Sequence, residues 1–328
     1  MSTSIAQPLS GQPAARPRAT RWQRMVAARW CYLFMIPSLI LAAMFTFWPI
    51  VASWYYSLLD FSGFSSARPF IGLANYRELI HDPFFWRSFG HSFLFMLVTV
   101  PIRLSLSLLV AIILNDRALR LAPLFRTLFF LPVVTTTAIV GILMTFLFSP
   151  FNGPINKTLI ALHLASQPVD FLGDPHRALW TIMGVQVWKS FGFTMIYWLA
   201  ALQAIPAELY EAARVDGAGR GAQFRGITVP LLRPFAVVIL LITAVNTLRV
   251  FDLVQTMTGG GPFFASEVVE VYIYRNAFSV SGGIPREGYA SSVGVFFGLT
   301  VMVIALTQAW AIRKARAVRE DLTIGGTT

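Results

Sequence analysis

Apolar residues run through this 328-residue chain in long blocks separated by short polar stretches. That is the pattern of helices that each cross a bilayer. A hydrocarbon layer of ~30 Å needs about 20 helical residues. Six blocks qualify: 31–56, 93–115, 127–149, 178–204, 234–254 and 289–312. The first, third and last carry no charge, while the others carry Arg103, Lys189 and Arg249. The fifth is short to residue 250 and is expected to continue through 254. A further stretch, 267–280, holds Glu267, Glu270 and Arg275. It reads better as an interfacial or external helix. The expected fold is all-α: a polytopic membrane bundle of six transmembrane helices.

Composition sharpens this picture. The chain is 56% apolar and only 12% charged, with a mean hydropathy of +0.64. A soluble domain would be about a quarter charged, and one soluble core cannot hide so many apolar side chains. Collagen, intrinsic disorder and a disulfide-stapled module are excluded, and the single cysteine, Cys31, has no internal partner. The net charge of +11 would suit nucleic acid, but its distribution argues otherwise. Sixteen Lys and Arg residues fall in the N-terminal tail, the loops after the second and fourth blocks, and the C-terminal tail; seven fall in the alternate loops. The positive-inside rule then puts both termini in the cytoplasm of a plasma membrane, with lipid and not nucleic acid as the surrounding partner. Residues 1–30 read as a basic cytoplasmic tail, disordered over 1–20. Residues 313–328 read as a C-terminal tail, loose from 323. The first apolar run is too long for a cleavable signal, and no small-residue cleavage site follows it.

The blocks also contain groups that a simple anchor does not need. Pro101 and Arg103, Pro132 with Thr135, Thr136 and Thr137, Lys189 with Ser190 and Gly192, and Asn246 with Thr247 and Arg249 lie within them. A charge at mid-membrane costs ~2.5–3.5 kcal/mol on insertion scales, so such a residue faces a cavity or a partner. Arg103 and Arg249 can instead snorkel or pair with Asp252. Polar sites in several spans together suggest a water-filled path. The path has no energy source of its own. None of the three lysines (Lys157, Lys189, Lys314) follows a glycine, so no phosphate-binding loop exists. His81, His91, His163 and His176 are scattered, and neither a metal set nor a catalytic arrangement can be assembled. The chain is expected not to be an enzyme and to hold no cofactor.

The decisive segment is the loop 205–234. Pro206 suits a first helical position, Glu208 complements the helix start, and Gly217 suits a C-terminal stop. A second short helix is expected over 222–229, ending before Pro230. Small residues at Ala212, Ala213 and Gly217 would let another backbone come close. The spacing Glu211-Ala212-Ala213, three residues, Gly217, nine residues, Ile227, one residue, Val229-Pro230 resembles the EAA signature of ABC-importer permeases, with Val229 where leucine is usual. Asp216 lies within the same stretch. The residues 70–76 (FIGLANY), Phe125-Arg126 with Leu131-Pro132, Phe251-Asp252 with 258–262 (TGGGP), and 288–291 (GYAS) are similar to maltose-type carbohydrate permeases. The likeness covers about 31–312.

The resemblance implies a type I importer permease fold and a heterodimer with a second homologous permease. It implies two ATPase subunits that bind ATP and Mg, and an extracytoplasmic solute-binding protein. It makes Glu211, Ala212, Ala213, Asp216 and Gly217 a coupling helix seated in the ATPase. It also carries a carbohydrate site onto Val133, Thr137, Lys189, Ser190, Phe193, Thr243, Asn246, Thr247 and Val250. Hydroxyls and amides there suit sugar hydroxyls, and Phe193 suits stacking on a sugar face. Helix–helix packing is the other use of such Ser, Thr and Asn residues. Lys189 and Arg249 suit an anionic substrate; neutral sugars, polyols and glycerol phosphate all stay open. A secondary, ion-coupled transporter is the alternative, against which no inverted repeat is found. An integral-membrane enzyme would need a catalytic cluster that is not found.

Overall fold

A computed structural model describes residues 29–64, 68–116, 119–278 and 283–324. The expectations for residues 1–20 and 325–328 lie outside the described residues, as do residues 279–280 of the stretch read as external. The chain divides into two units, Met1–Ala52 and Ser53–Thr328. By length and composition four helices can cross a membrane, or up to six if each bent pair is one span.

The described part of the first unit lies in α1 (Arg29–Tyr56), none of whose most apolar window is buried in the protein. A helix apolar on every side is covered by lipid or by another chain. Its Ala43–Phe47 turn is π-helical. The turn lies just ahead of Pro49, whose ring would collide with the carbonyl four residues back in a regular α-helix.

The second unit takes in the last turn of α1 from Ser53 and continues with the short α2 (Ala74–His81) and the 32-residue α3 (Pro83–Leu114). α3 starts ten residues before the apolar block does. Asp82 explains this: its Oδ1 accepts from the amides of Phe84 and Phe85, and Pro83 takes the first helical position. The added turns bury Phe85 completely.

The third block is not one straight span. It is split into α4 (Ala122–Val134) and α5 (Thr137–Leu147), bent by 96°. Thr135 and Thr136 are extended, with ψ of 136° and 130°. Residues 133–137 are all β-branched, which weakens helix most where Pro132 has already removed a donor. The short α6 (Pro154–Ala161) follows, then α7 (Ala178–Gln203). Gly192 does not break α7. A Cβ there would sit 2.1 Å from the carbonyl oxygen of Phe129, so this glycine lets α4 lie directly on α7.

α8 (Ala207–Val215) leaves α7 at 61°. The second loop helix does not end before Pro230, as the sequence suggested. Helix α9 runs unbroken over Arg220–Thr247. A π turn over Phe224–Thr228 precedes Pro230 and relieves the same clash as in α1. Nor does the fifth span continue through residue 254. Val250 turns to φ −120° and ψ 13°, and a separate α10 (Phe251–Met257) begins. The amide of Phe251 donates to Glu270 Oε2 at 2.7 Å instead of to a carbonyl one turn back.

Glu270 belongs to α11 (Val269–Phe278), which buries Val269, Val271 and Tyr272. The last helix is α12 (Glu287–Ile324). It includes Thr323 and Ile324, which were expected to be loose.

Two apolar clusters are built along α7. At one end Ile182, Met183 and Val185 pack with Phe95 of α3, Val140 of α5 and Leu253 of α10. At the other end Met195, Trp198 and Leu202 pack with Ala111 and Leu114 of α3 and Ile239 of α9. A third cluster joins Leu79, Phe85, Tyr272, Tyr289 and Phe297. It is pinned by Asp82, whose Oδ2 accepts from both Tyr272 and Tyr289. Burial raises the Asp82 carboxyl, but the two phenols and the two amides outweigh it and hold it below its ordinary value.

Candidate functional site

Between the two clusters on α7 lies a cavity of about 240 Å³. Three other helices help to line it. α7 supplies Gln186, Lys189, Ser190, Phe193, Thr194 and Tyr197; their spacing of three or four residues makes one helical face. α3 supplies Arg103, α4 supplies Val133, and α9 supplies Ile242, Thr243 and Asn246. The close approach at Gly192 puts Phe129 against α7, and Val133, one turn further along α4, then reaches the cavity.

Six of the nine positions carried over by resemblance therefore share one cavity: Val133, Lys189, Ser190, Phe193, Thr243 and Asn246. Thr137, Thr247 and Val250 do not line it. Thr137 heads α5 beyond the 96° bend. Thr247 is buried and its hydroxyl donates to the Thr243 carbonyl at 2.8 Å. Val250 leaves the helix and packs into the apolar cluster around Leu253. Arg103, Gln186, Thr194, Tyr197 and Ile242 were not assigned from sequence. Arg103 and Lys189 are only 6% and 9% exposed. Arg103 Nη2 donates to the Thr243 carbonyl at 3.2 Å, and its Nε is buried without a partner among the described residues. Neither Arg103 nor Arg249 pairs with Asp252 among the described residues; Arg249 is exposed. Phe193 meets Tyr197 edge-on at 4.8 Å. The lining thus offers amides, hydroxyls, an aromatic face and two cations.

The second feature is the knob made by α8. None of its residues is buried, and Val215 at its end is 88% exposed. Glu211, Ala212 and Asp216 are exposed, and Ala213 is half-buried. Gly217 ends the helix at φ +78°, a left-handed conformation that glycine adopts without penalty. The amide of Ala218 then reaches back to the Ala213 carbonyl at 2.8 Å. Tyr210 ties the knob to α9 through a 2.9 Å hydrogen bond with Thr228. Among the described residues, no group of three His, Cys, Asp or Glu could hold a metal ion.

A multi-pass helical bundle with a polar cavity between its long helices defines a membrane permease. Residues 103–316 match the family described as Binding-protein-dependent transport system inner membrane component, and this chain belongs to that family. It is 36% identical over 278 residues to the probable ABC transporter permease protein YurN of Bacillus subtilis strain 168, covering 84% of this chain and 94% of that one. It is 34% identical over 287 residues to the lactose transport system permease protein LacF of Rhizobium radiobacter, covering 87% and 94%. Among solved structures, a chain of a bacterial alginate ABC transporter, in complex with alginate pentasaccharide-bound periplasmic protein, shares the fold. Its TM-score is 0.77 at 24% identity, covering 90% of this chain and 98% of that one.

Proposed function

We propose that this chain is one permease subunit of an ATP-binding-cassette importer and that, paired with a second homologous permease, it forms the pathway for a carbohydrate or related polyol or glycerol phosphate. The relative named as a lactose permease supports the carbohydrate class. In this reading the chain hydrolyses nothing. Two ATPase subunits bind ATP and Mg, and an extracytoplasmic binding protein delivers the solute. Both termini are cytoplasmic, in keeping with the sixteen-to-seven bias of basic residues.

The observation that carries the reading is the α8 knob. The spaced Glu211, Ala212, Ala213 and Gly217 lie on an exposed helix stopped by Gly217 at φ +78°. The knob is connected to both main cavity walls. It continues α7 through a three-residue bend, with Leu202 and Ile205 packed in the cluster beneath it. It also holds α9 through Tyr210 and Thr228. A push on α8 is therefore delivered to the helices bearing Lys189 and Asn246. Closely packed helices move as rigid bodies between discrete arrangements. ATP can bias that equilibrium only by binding one arrangement better than the other.

The test is co-expression with a candidate second permease and candidate ATPases, followed by reconstitution with a candidate binding protein. The expected result is retention of the ATPases and ATP-dependent uptake of labelled sugar. Liposomes containing this chain alone that concentrate solute would overturn the reading in favour of a secondary transporter.

A further inference from the structure

We infer that the cavity selects a carbohydrate bearing an anionic group, a carboxylate or a phosphate. This deepens the permease reading and rests on it. Every charged side chain lining the cavity is a cation: Arg103 on α3 and Lys189 on α7. Both are at least nine-tenths buried. A buried cation is normally paired, because an isolated one is expensive to desolvate. These two have no acid within ion-pair distance among the described residues.

The Arg103 guanidinium is half-used. One terminal nitrogen holds the Thr243 carbonyl, while Nε has no acceptor among the described residues. A guanidinium offers five N–H donors in a fixed fork that matches carboxylate and phosphate oxygens. Asp252 exerts a Coulombic pull on Lys189, but it is exposed and does not line the cavity. The remaining lining suits the neutral part of the same ligand. Ser190, Thr194, Gln186 and Asn246 present hydroxyls and amides, and Phe193 presents a ring. A volume of about 240 Å³ lies below the roughly 300–1,000 Å³ of drug-sized sites. This chain's share of the pathway is therefore a partial site, which in the permease reading the second permease completes.

The assay uses the reconstituted complex with its binding protein. The labelled probes are galacturonate, digalacturonate and glycerol 3-phosphate, against lactose, trehalose and glycerol. The inference expects ATP-dependent uptake of an acidic probe, the uronates and the phosphate showing which anion is taken. That uptake should fall about tenfold in Lys189→Gln, as expected for one lost charge-assisted hydrogen bond, and recover substantially in Lys189→Arg. Arg103→Lys is the second variant, because it keeps the charge but loses the fork; it should weaken uptake of the acidic probe with the complex still assembled. ATP-dependent uptake confined to neutral probes, or acidic uptake indifferent to Lys189→Gln, overturns the anionic selection and leaves the permease reading intact. An assembled, ATP-hydrolysing complex that imports none of the six probes overturns it as well. Failure of the ATPases to co-purify with the chain instead strikes the permease reading, and the inference falls with it.

Discussion

The amide of Phe251 donates to Glu270 Oε2 at 2.7 Å, and this contact separates α9 from α10. A carboxylate from a later helix takes the position of an N-cap, so the chain restarts at Phe251 rather than extending the fifth span. Glu270→Ala should lower stability by about 0.5–2 kcal/mol, the range for loss of a helix cap. Thermal unfolding of the detergent-solubilised protein measures it. Glu270→Gln, which keeps an acceptor oxygen, should lose less.

Glu267 is buried and receives two hydrogen bonds from Arg275, at 2.7 and 3.1 Å, with a third from Ser88 at 3.1 Å. Arg275 also lies over the Phe264 ring at 4.4 Å. Arg275→Met should destabilise by roughly 3–5 kcal/mol, because it leaves a buried carboxylate without its cation. Adding Glu267→Gln to that variant should restore part of the loss. A double-mutant cycle on thermal stability reads the coupling.

At Gly217 the expected cost is local and the functional loss is large. A Cβ there meets nothing within 4 Å, yet φ is +78°. Gly217→Val should therefore cost roughly 1–2 kcal/mol of backbone strain and leave the membrane level of the protein near normal. ATP-dependent uptake should be abolished, because the knob would no longer fit its partner. Normal uptake by this variant would remove α8 from the coupling role.

The Asp82 clamp predicts a pH dependence. Its folded carboxyl is held below the ordinary 3.8, so the unfolded chain takes up the proton first as pH falls. The clamp's contribution is complete above about pH 4–5 and disappears as pH drops through the folded value. Asp82→Asn should flatten the acid limb of a melting-temperature profile between pH 7 and 3. An unchanged limb would mean that Tyr272 and Tyr289 hold the neutral acid equally well.

The helical character of the apolar blocks was legible because apolar length is a property of composition, and α7 falls within a residue of its expected end. Breaks inside the spans were harder to read. The restart at Phe251 depends on a partner far away in sequence, Glu270, and the bend after Val134 needed the β-branched run 133–137 to be weighed together with Pro132. The cavity shows the same division. Lys189, Ser190 and Phe193 mark a helical face, and extending it by three or four residues would have reached Gln186, Thr194 and Tyr197. Arg103 was visible as a charge within a span, but its place beside Thr243 needed the packing of α3 on α9. Conversely, Val250, carried over by resemblance, falls beyond a helix that stops at Thr247.

The bend between α4 and α5 has a consequence for its surroundings. At Thr135 and Thr136 the helical ladder is interrupted, so carbonyls at the end of α4 and amides at the start of α5 lack their usual intrahelical mates. Hydrocarbon cannot satisfy such groups, and broken backbone at bilayer depth is tolerated only against protein or water. Where the third block crosses a bilayer, the elbow therefore faces protein or water and not acyl chains.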